Sequence, residues 1–172
     1  ELLAHAPEGI APGKPLWVGL QLTHQPQWHT YWKNPGDSGL PTSLQWTLPA
    51  GVTAGEIAWP VPKKIPIGNL ANYGYEGTVL LPVPLAVGPD FKASPFSKDL
   101  EIRLHANWLV CRKECIPEEA RLVLKVPVHS TTALAGAAFQ AAWDAQPRAL
   151  DGPATARVEG GLLRVAVDGL PA

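Results

Sequence analysis

Cys111 and Cys115 are the only cysteines in the 172-residue chain, and three residues part them in Trp108-Leu109-Val110-Cys111-Arg112-Lys113-Glu114-Cys115-Ile116-Pro117. A disulfide stabilises a fold mainly by restricting the unfolded chain, and a ring this small contributes only about 2 kcal/mol on that account. A domain of this length buries a core without such help. Three chemistries remain for the pair: reversible thiol–disulfide exchange, metal binding, or an inert hairpin bridge. Arg112 and Lys113 place positive charge beside both sulfurs and favour the thiolate, the attacking species in exchange. Glu114 opposes them, so the sequence does not sign the net shift. The thioredoxin signature C-x-x-C is absent.

The metal reading needs further ligands. Of the five histidines (His5, His24, His29, His105 and His129), His105 stands closest, six residues before Cys111. The irregular histidine spacing does not match a Cys2His2 zinc site. Copper(I) sites often recruit methionine, and the chain has none. A copper-binding domain using the thiols and His105 stands as the alternative reading, and a structural β-sandwich as the third. No G-x-S-x-G, H-E-x-x-H or P-loop is present, and Asp37-Ser38 near His29 has no triad spacing.

Elements must hold the pair in place, and the chain reads as many short strands. It is 46% apolar and 17% charged, with a net charge of −1, which excludes a disordered chain and argues against a nucleic-acid surface. No apolar run approaches the length of a membrane-spanning helix. Glu1 opens on mature-looking sequence, so an exported form is expected to have lost a leader. Nineteen prolines and 16 glycines punctuate the chain as turns do. Period-2 patterns mark strands in 15–25, 42–49, 100–108 and 120–128. Residues 78–87 form a more continuous apolar run, which Pro82 and Pro84 assign to an edge or a bulge. The fold class expected is all-β, a two-layer antiparallel sandwich with the cysteines at a hairpin tip. Trp108 is either a wall of the site or core beside Ile102, and the other tryptophans are core or rim aromatics.

Asn34–Pro41 and Asn72–Gly77 read as loops, the second polar and aromatic with two glycines. Thr131–Gln146 is rich in alanine and predicts a helix of about four turns capped by Ser130, Thr131 or Thr132. A β-hairpin follows Pro147, either as a packed appendage or as the first strands of a second sandwich. The divisions expected are 1–130, 131–149 and 150–172.

Four strings carry a resemblance: Tyr31-Trp32-Lys33-Asn34-Pro35-Gly36-Asp37-Ser38-Gly39-Leu40-Pro41, Trp59-Pro60-Val61-Pro62-Lys63, Asn72-Tyr73-Gly74-Tyr75-Glu76-Gly77, and the cysteine segment through Glu118. In order over roughly 10–130, they resemble the N-terminal periplasmic domain of DsbD-type thiol:disulfide interchange proteins, in the ScsB-like branch. The resemblance implies an immunoglobulin-like fold and a periplasmic setting, as the soluble domain of an inner-membrane protein. It implies electrons received from a transmembrane domain of the same polypeptide and passed to oxidised periplasmic thioredoxin-fold proteins. No metal, flavin or nucleotide is required. Carried over by position, Cys111 and Cys115 are the redox pair, with Cys115 the nucleophile and Cys111 the resolving thiol. Trp108, Arg112 and Lys113 lie near the site. Asn72, Tyr73, Gly74 and Tyr75 fall where the family has an aromatic cap loop, with Tyr73 as the ring over the sulfurs. The cysteine spacing is shorter than in the best-known members.

Overall fold

The computed structural model describes residues 1–92, 98–149 and 152–167. Ten strands build two facing sheets: β1 (Leu2–His5), β2 (Leu16–Thr23), β3 (His29–Gly36), β4 (Ser43–Thr47), β5 (Val52–Ala54), β6 (Lys63–Ile67), β7 (Leu70–Glu76), β8 (Thr78–Val87), β9 (Asp99–Cys111) and β10 (Cys115–Pro127). A helix, α1 (Gly136–Asp144), and a separate hairpin, β11 (Ala154–Glu159) and β12 (Leu162–Val167), follow. One sheet has the order β1-β2-β8-β5 and the other β10-β9-β3-β7-β6, with β4 also pairing β9. All named strand pairs are antiparallel. The result is an immunoglobulin-like β-sandwich.

Period-2 patterning explains the core. Leu16, Val18, Leu20 and Leu22 of β2 are buried, as are Val79, Leu81, Val83 and Leu85 of β8. They meet Leu100, Ile102, Leu104 and Ala106 of β9 in two contiguous clusters. Strand side chains alternate between faces, so each strand delivers one apolar row to the interface between sheets.

Three expectations are corrected. β8 is interior to its sheet, with β2 on one side and β5 on the other, despite Pro82 and Pro84. The carbonyls of both prolines accept from Ala58 and Gly55, on the β5 side. A strand residue's N–H and C=O point to the same edge, so the missing proline N–H groups do not interrupt the ladder to β2. The helix starts at Gly136 with no side-chain cap. Thr132 is instead engaged in a backbone bridge to Ala6, which holds the chain extended ahead of the helix. Residues 72–76 are not a loop but part of β7, and Asn34–Gly36 closes β3.

Phe139 of α1 is fully buried against the outer face of the first sheet, with Leu80 and Trp17. The β11–β12 hairpin pairs with itself, and Val158, Leu162, Leu163 and Val165 are exposed.

Candidate active site

β9 and β10 pair without interruption from Asp99↔Pro127 to Cys111↔Cys115, so a 13-residue ladder ends on the two cysteines. Arg112, Lys113 and Glu114 form the apex, closed by a hydrogen bond from the Arg112 N–H to the Glu114 carbonyl at 3.0 Å. Directly opposed antiparallel residues lie within disulfide reach. Here the Cα atoms are 4.1 Å apart and the Cys111–Cys115 bridge is closed.

The two sulfurs occupy unlike surroundings. Cys111 is 1% exposed, while Cys115 is an exposed residue. The difference arises because β3 starts alongside Cys111, in the register His29↔Cys111, and covers that side only. Arg112 lies over the Trp28 ring at 5.5 Å, drawing its charge to one side of the apex. Trp108 Nε1 donates to Glu118 across the ladder at 3.0 Å, and its ring packs on the core. Lys113 is exposed at the tip. Two shallow grooves flank the hairpin. One of about 370 Å³ is lined by Trp28, Trp108, Val110 and Ile116. The other, of about 420 Å³, is lined by Leu40, Trp108, Leu109 and Pro117.

The Tyr31 side chain reaches a sulfur. Its hydroxyl lies 3.8 Å from Cys115 Sγ and 3.3 Å from His29 Nε2. Both rings are buried and meet edge to face at 5.1 Å. Burial raises the Tyr31 pKa, so the phenol stays protonated. The segment after β3 holds this ring in position. Asp37 Oδ2 accepts from the Ala71 N–H at 2.7 Å, and Asn72 Oδ1 accepts from the Ser38 N–H and hydroxyl at 3.0 and 3.1 Å. Pro41 then bridges to Tyr31, and a Cβ at Gly39 (φ +97) would fall inside the Tyr31 ring. Glycine is required there for close approach as well as for its backbone conformation.

The cap expectation is corrected in its geometry. Asn72 and Gly74 pair with β3 on one edge and β6 on the other, Tyr73 pairs with β6 and Tyr75 with β3, which does not suit a lifting loop. Asn72 is wholly buried and ties down the 37–38 turn. Tyr73 is half-buried beside Gly36. Gly74 serves close packing, since a Cβ would fall on the Thr30 carbonyl. Tyr75 is buried and its hydroxyl donates to the Pro60 carbonyl at 2.7 Å. Spacing alone does not single out His29 or Tyr31, although Tyr31 opens the first string that carries the resemblance.

His105 sits six residues down β9 from Cys111, roughly 20 Å along an extended strand. Its Nε2 pairs with Glu119 at 2.9 Å, and this contact lowers the Glu119 pKa. It is therefore out of reach of the sulfurs. Among the described residues, no group of three His, Cys, Asp or Glu is placed to hold a metal ion.

His24 and His29 give the site a pH dependence. His24 Nδ1 donates to the Gly77 carbonyl at 2.6 Å, leaving Nε2 to accept from the Thr30 hydroxyl at 3.0 Å. Burial lowers the pKa of both histidines; nearby Glu76 opposes this, and His24 reinforces it at His29. The unfolded chain binds protons near pH 6.5 while the folded one resists them. The stability these groups contribute is thus complete above about pH 6.5 and is lost as pH falls through the lowered folded values. The expected result is a thermal midpoint that drops between about pH 7 and about pH 5, and drops less in His24→Gln. A wild-type profile flat over that range would contradict it.

Residues 3–127 match the family model described as "Thiol:disulfide interchange protein DsbD, N-terminal". The chain belongs to this DsbD N-terminal family. No curated protein matches the chain. Among solved structures it is similar to the N-terminal periplasmic domain of ScsB from Proteus mirabilis, at 18% identity and a TM-score of 0.64. That likeness covers 90% of this chain and 56% of the ScsB chain, so this chain spans little more than half of its structural relative. As a DsbD N-terminal domain, it is a thiol–disulfide exchange domain carrying one cysteine pair.

Proposed function

We propose that this domain works in the periplasm, carrying electrons from a membrane-embedded domain of the same polypeptide to oxidised thioredoxin-fold proteins. The observation that carries this reading is the closed bridge at a hairpin apex, with Cys111 buried and Cys115 exposed. In the reduced form, the Cys115 thiolate attacks one sulfur of the partner disulfide and expels the other as a thiolate. The Cys111 thiolate then attacks Cys115 Sγ, breaks the mixed disulfide and releases the partner as a dithiol. Two electrons pass, and the Cys111–Cys115 bridge re-forms. Exposure selects Cys115 for the external partner, and burial keeps Cys111 for the internal step. The apolar walls of the two grooves, including Ile116 next to Cys115, give a partner surface to rest on. Arg112 and Lys113 steer an anionic rim toward the tip.

We read 1–130 as the exchange unit, 131–149 as a helical segment packed on it, and 150–172 as the opening of a further β-unit. The exposed apolar side chains of β11 and β12 support the last assignment, since a lone hairpin is marginal in water.

The experiment is electron transfer from the reduced protein to an oxidised thioredoxin-fold protein, followed by thiol alkylation and mass. One partner dithiol is expected per bridge formed. A partner that stays oxidised here, yet is reduced by dithiothreitol, would overturn the assignment.

A further inference from the structure

We propose that Tyr31 and His29 form a proton relay for Cys115, in which the Tyr31 hydroxyl hands the thiol proton on to His29 Nε2. The proposal rests on the exchange reading, because only a cycling Cys115 has a proton to lose. With the bridge closed, the three groups already form one chain of contacts, Cys115 Sγ to Tyr31 Oη at 3.8 Å and Tyr31 Oη to His29 Nε2 at 3.3 Å. Tyr31 and His29 are 1% and 2% exposed, so bulk water does not readily take the place of either partner.

A phenol has one proton and an oxygen that also accepts, so it connects the other two groups in either of two orders. With Cys115 as a thiol, S–H donates to the Tyr31 oxygen and the Tyr31 O–H donates to Nε2. With Cys115 as a thiolate, protonated Nε2–H donates to the Tyr31 oxygen and the Tyr31 O–H donates to sulfur. Passing between them breaks S–H and forms a new tyrosine O–H. The old tyrosine O–H breaks and Nε2–H forms. The phenol is neutral at both ends, in keeping with a burial that resists its ionisation. No electrons move in this step.

The groups facing His29 set how readily it accepts. Glu76 of β7 stands opposite His29 in the strand register, and its charge favours the imidazolium. His24 disfavours it, and burial disfavours it most. On β9 the facing residue is Cys111. His29 is thus held neutral at pH 7, ready to accept, with a carboxylate nearby once it is charged. The resulting thiolate accepts a hydrogen bond from Tyr31, which favours its formation. Tyr31 touches the reacting sulfur, and His29 acts through it.

The test is the pH profile of iodoacetamide alkylation at Cys115, measured in the full chain carrying Cys111→Ala. The expected result is a rate at pH 7 roughly tenfold lower with Tyr31→Phe or His29→Gln, one pKa unit of thiol. At about pH 10, where the thiol ionises without help, the rates should converge. An equal loss at both pH values, or no loss, would overturn the relay. A second readout needs neither substitution: the His29 ring nitrogen shifts, followed by NMR in the Cys111→Ala protein. They should carry an inflection shared with Cys115 ionisation, absent when Cys115 is also replaced, and an unchanged curve would overturn the proposal. Iodoacetamide requires no protein partner. A relay that fails here leaves the electron-transfer test standing, and the reverse also holds.

Discussion

Cys111→Ala is expected to accumulate a covalent adduct with a thioredoxin-fold disulfide, and Cys115→Ala is expected not to. The asymmetry follows from burial. Cys115 is an exposed residue, whereas Cys111 is 1% exposed beside His29. With Cys111 absent, the mixed disulfide on Cys115 has no internal thiol to resolve it and persists. With Cys115 absent, the remaining sulfur is shielded from the partner. Electron transfer should fall by at least about a thousandfold in both variants, because a two-electron exchange needs both sulfurs. The fold should survive in both. Losing so small a ring removes about 2 kcal/mol, against a core in which residues from β2, β8 and β9 interlock. Non-reducing electrophoresis with mass analysis of the adduct checks the first part, and a thermal melt checks the second. An adduct through Cys111 in Cys115→Ala would contradict the assignment of roles.

Gly74→Ala is expected to have the largest effect on stability of any small substitution near the site. β7 lies between β3 and β6, and at Gly74 the Thr30 carbonyl occupies the space where a Cβ would go. The obstruction is backbone rather than the end of a flexible side chain, so relief requires the strands to part. Overpacking of this kind costs about 3 kcal/mol, or a fall in the midpoint of roughly 6–12 °C for a chain of this size. The displacement would reach the site as well. Tyr31 pairs with Gly74, so moving β3 moves the hydroxyl away from Cys115 Sγ. Reduced stability together with a slower Cys115 reaction is the expected pair of findings. Wild-type stability in Gly74→Ala would contradict the close approach.

Legibility of the fold in the sequence followed the alternation of apolar side chains. β2, β4, β9 and β10 were readable because one face of each is in the core and the other is not. The cysteine hairpin was readable too, since two patterned runs flank a short polar apex. β3 and β7 were hidden for a physical reason. His29, Thr30 and Tyr31 are buried consecutively, because the strand has sheet neighbours on both edges and is covered on both faces, so no period survives. β7 carries Asn72 and Gly74 inside a strand, residue types that read as a turn. Their reasons are tertiary: Asn72 binds the 37–38 turn, and Gly74 admits β3. The same limit applied to the site. Cys111 and Cys115 are neighbours in sequence and were found, whereas Tyr31 reaches Cys115 across 84 residues of chain.

Equilibration of the folded protein against glutathione buffers, with both thiols counted by alkylation and mass, tests most directly whether the Cys111–Cys115 bridge opens in use. An inert bridge of an exported protein has a reduction potential below about −300 mV. The midpoint is expected above that value, with an intact fold in the dithiol form and full intramolecular re-closure on reoxidation. A bridge that stays closed in the folded protein throughout the glutathione range, and also under dithiothreitol, would contradict it.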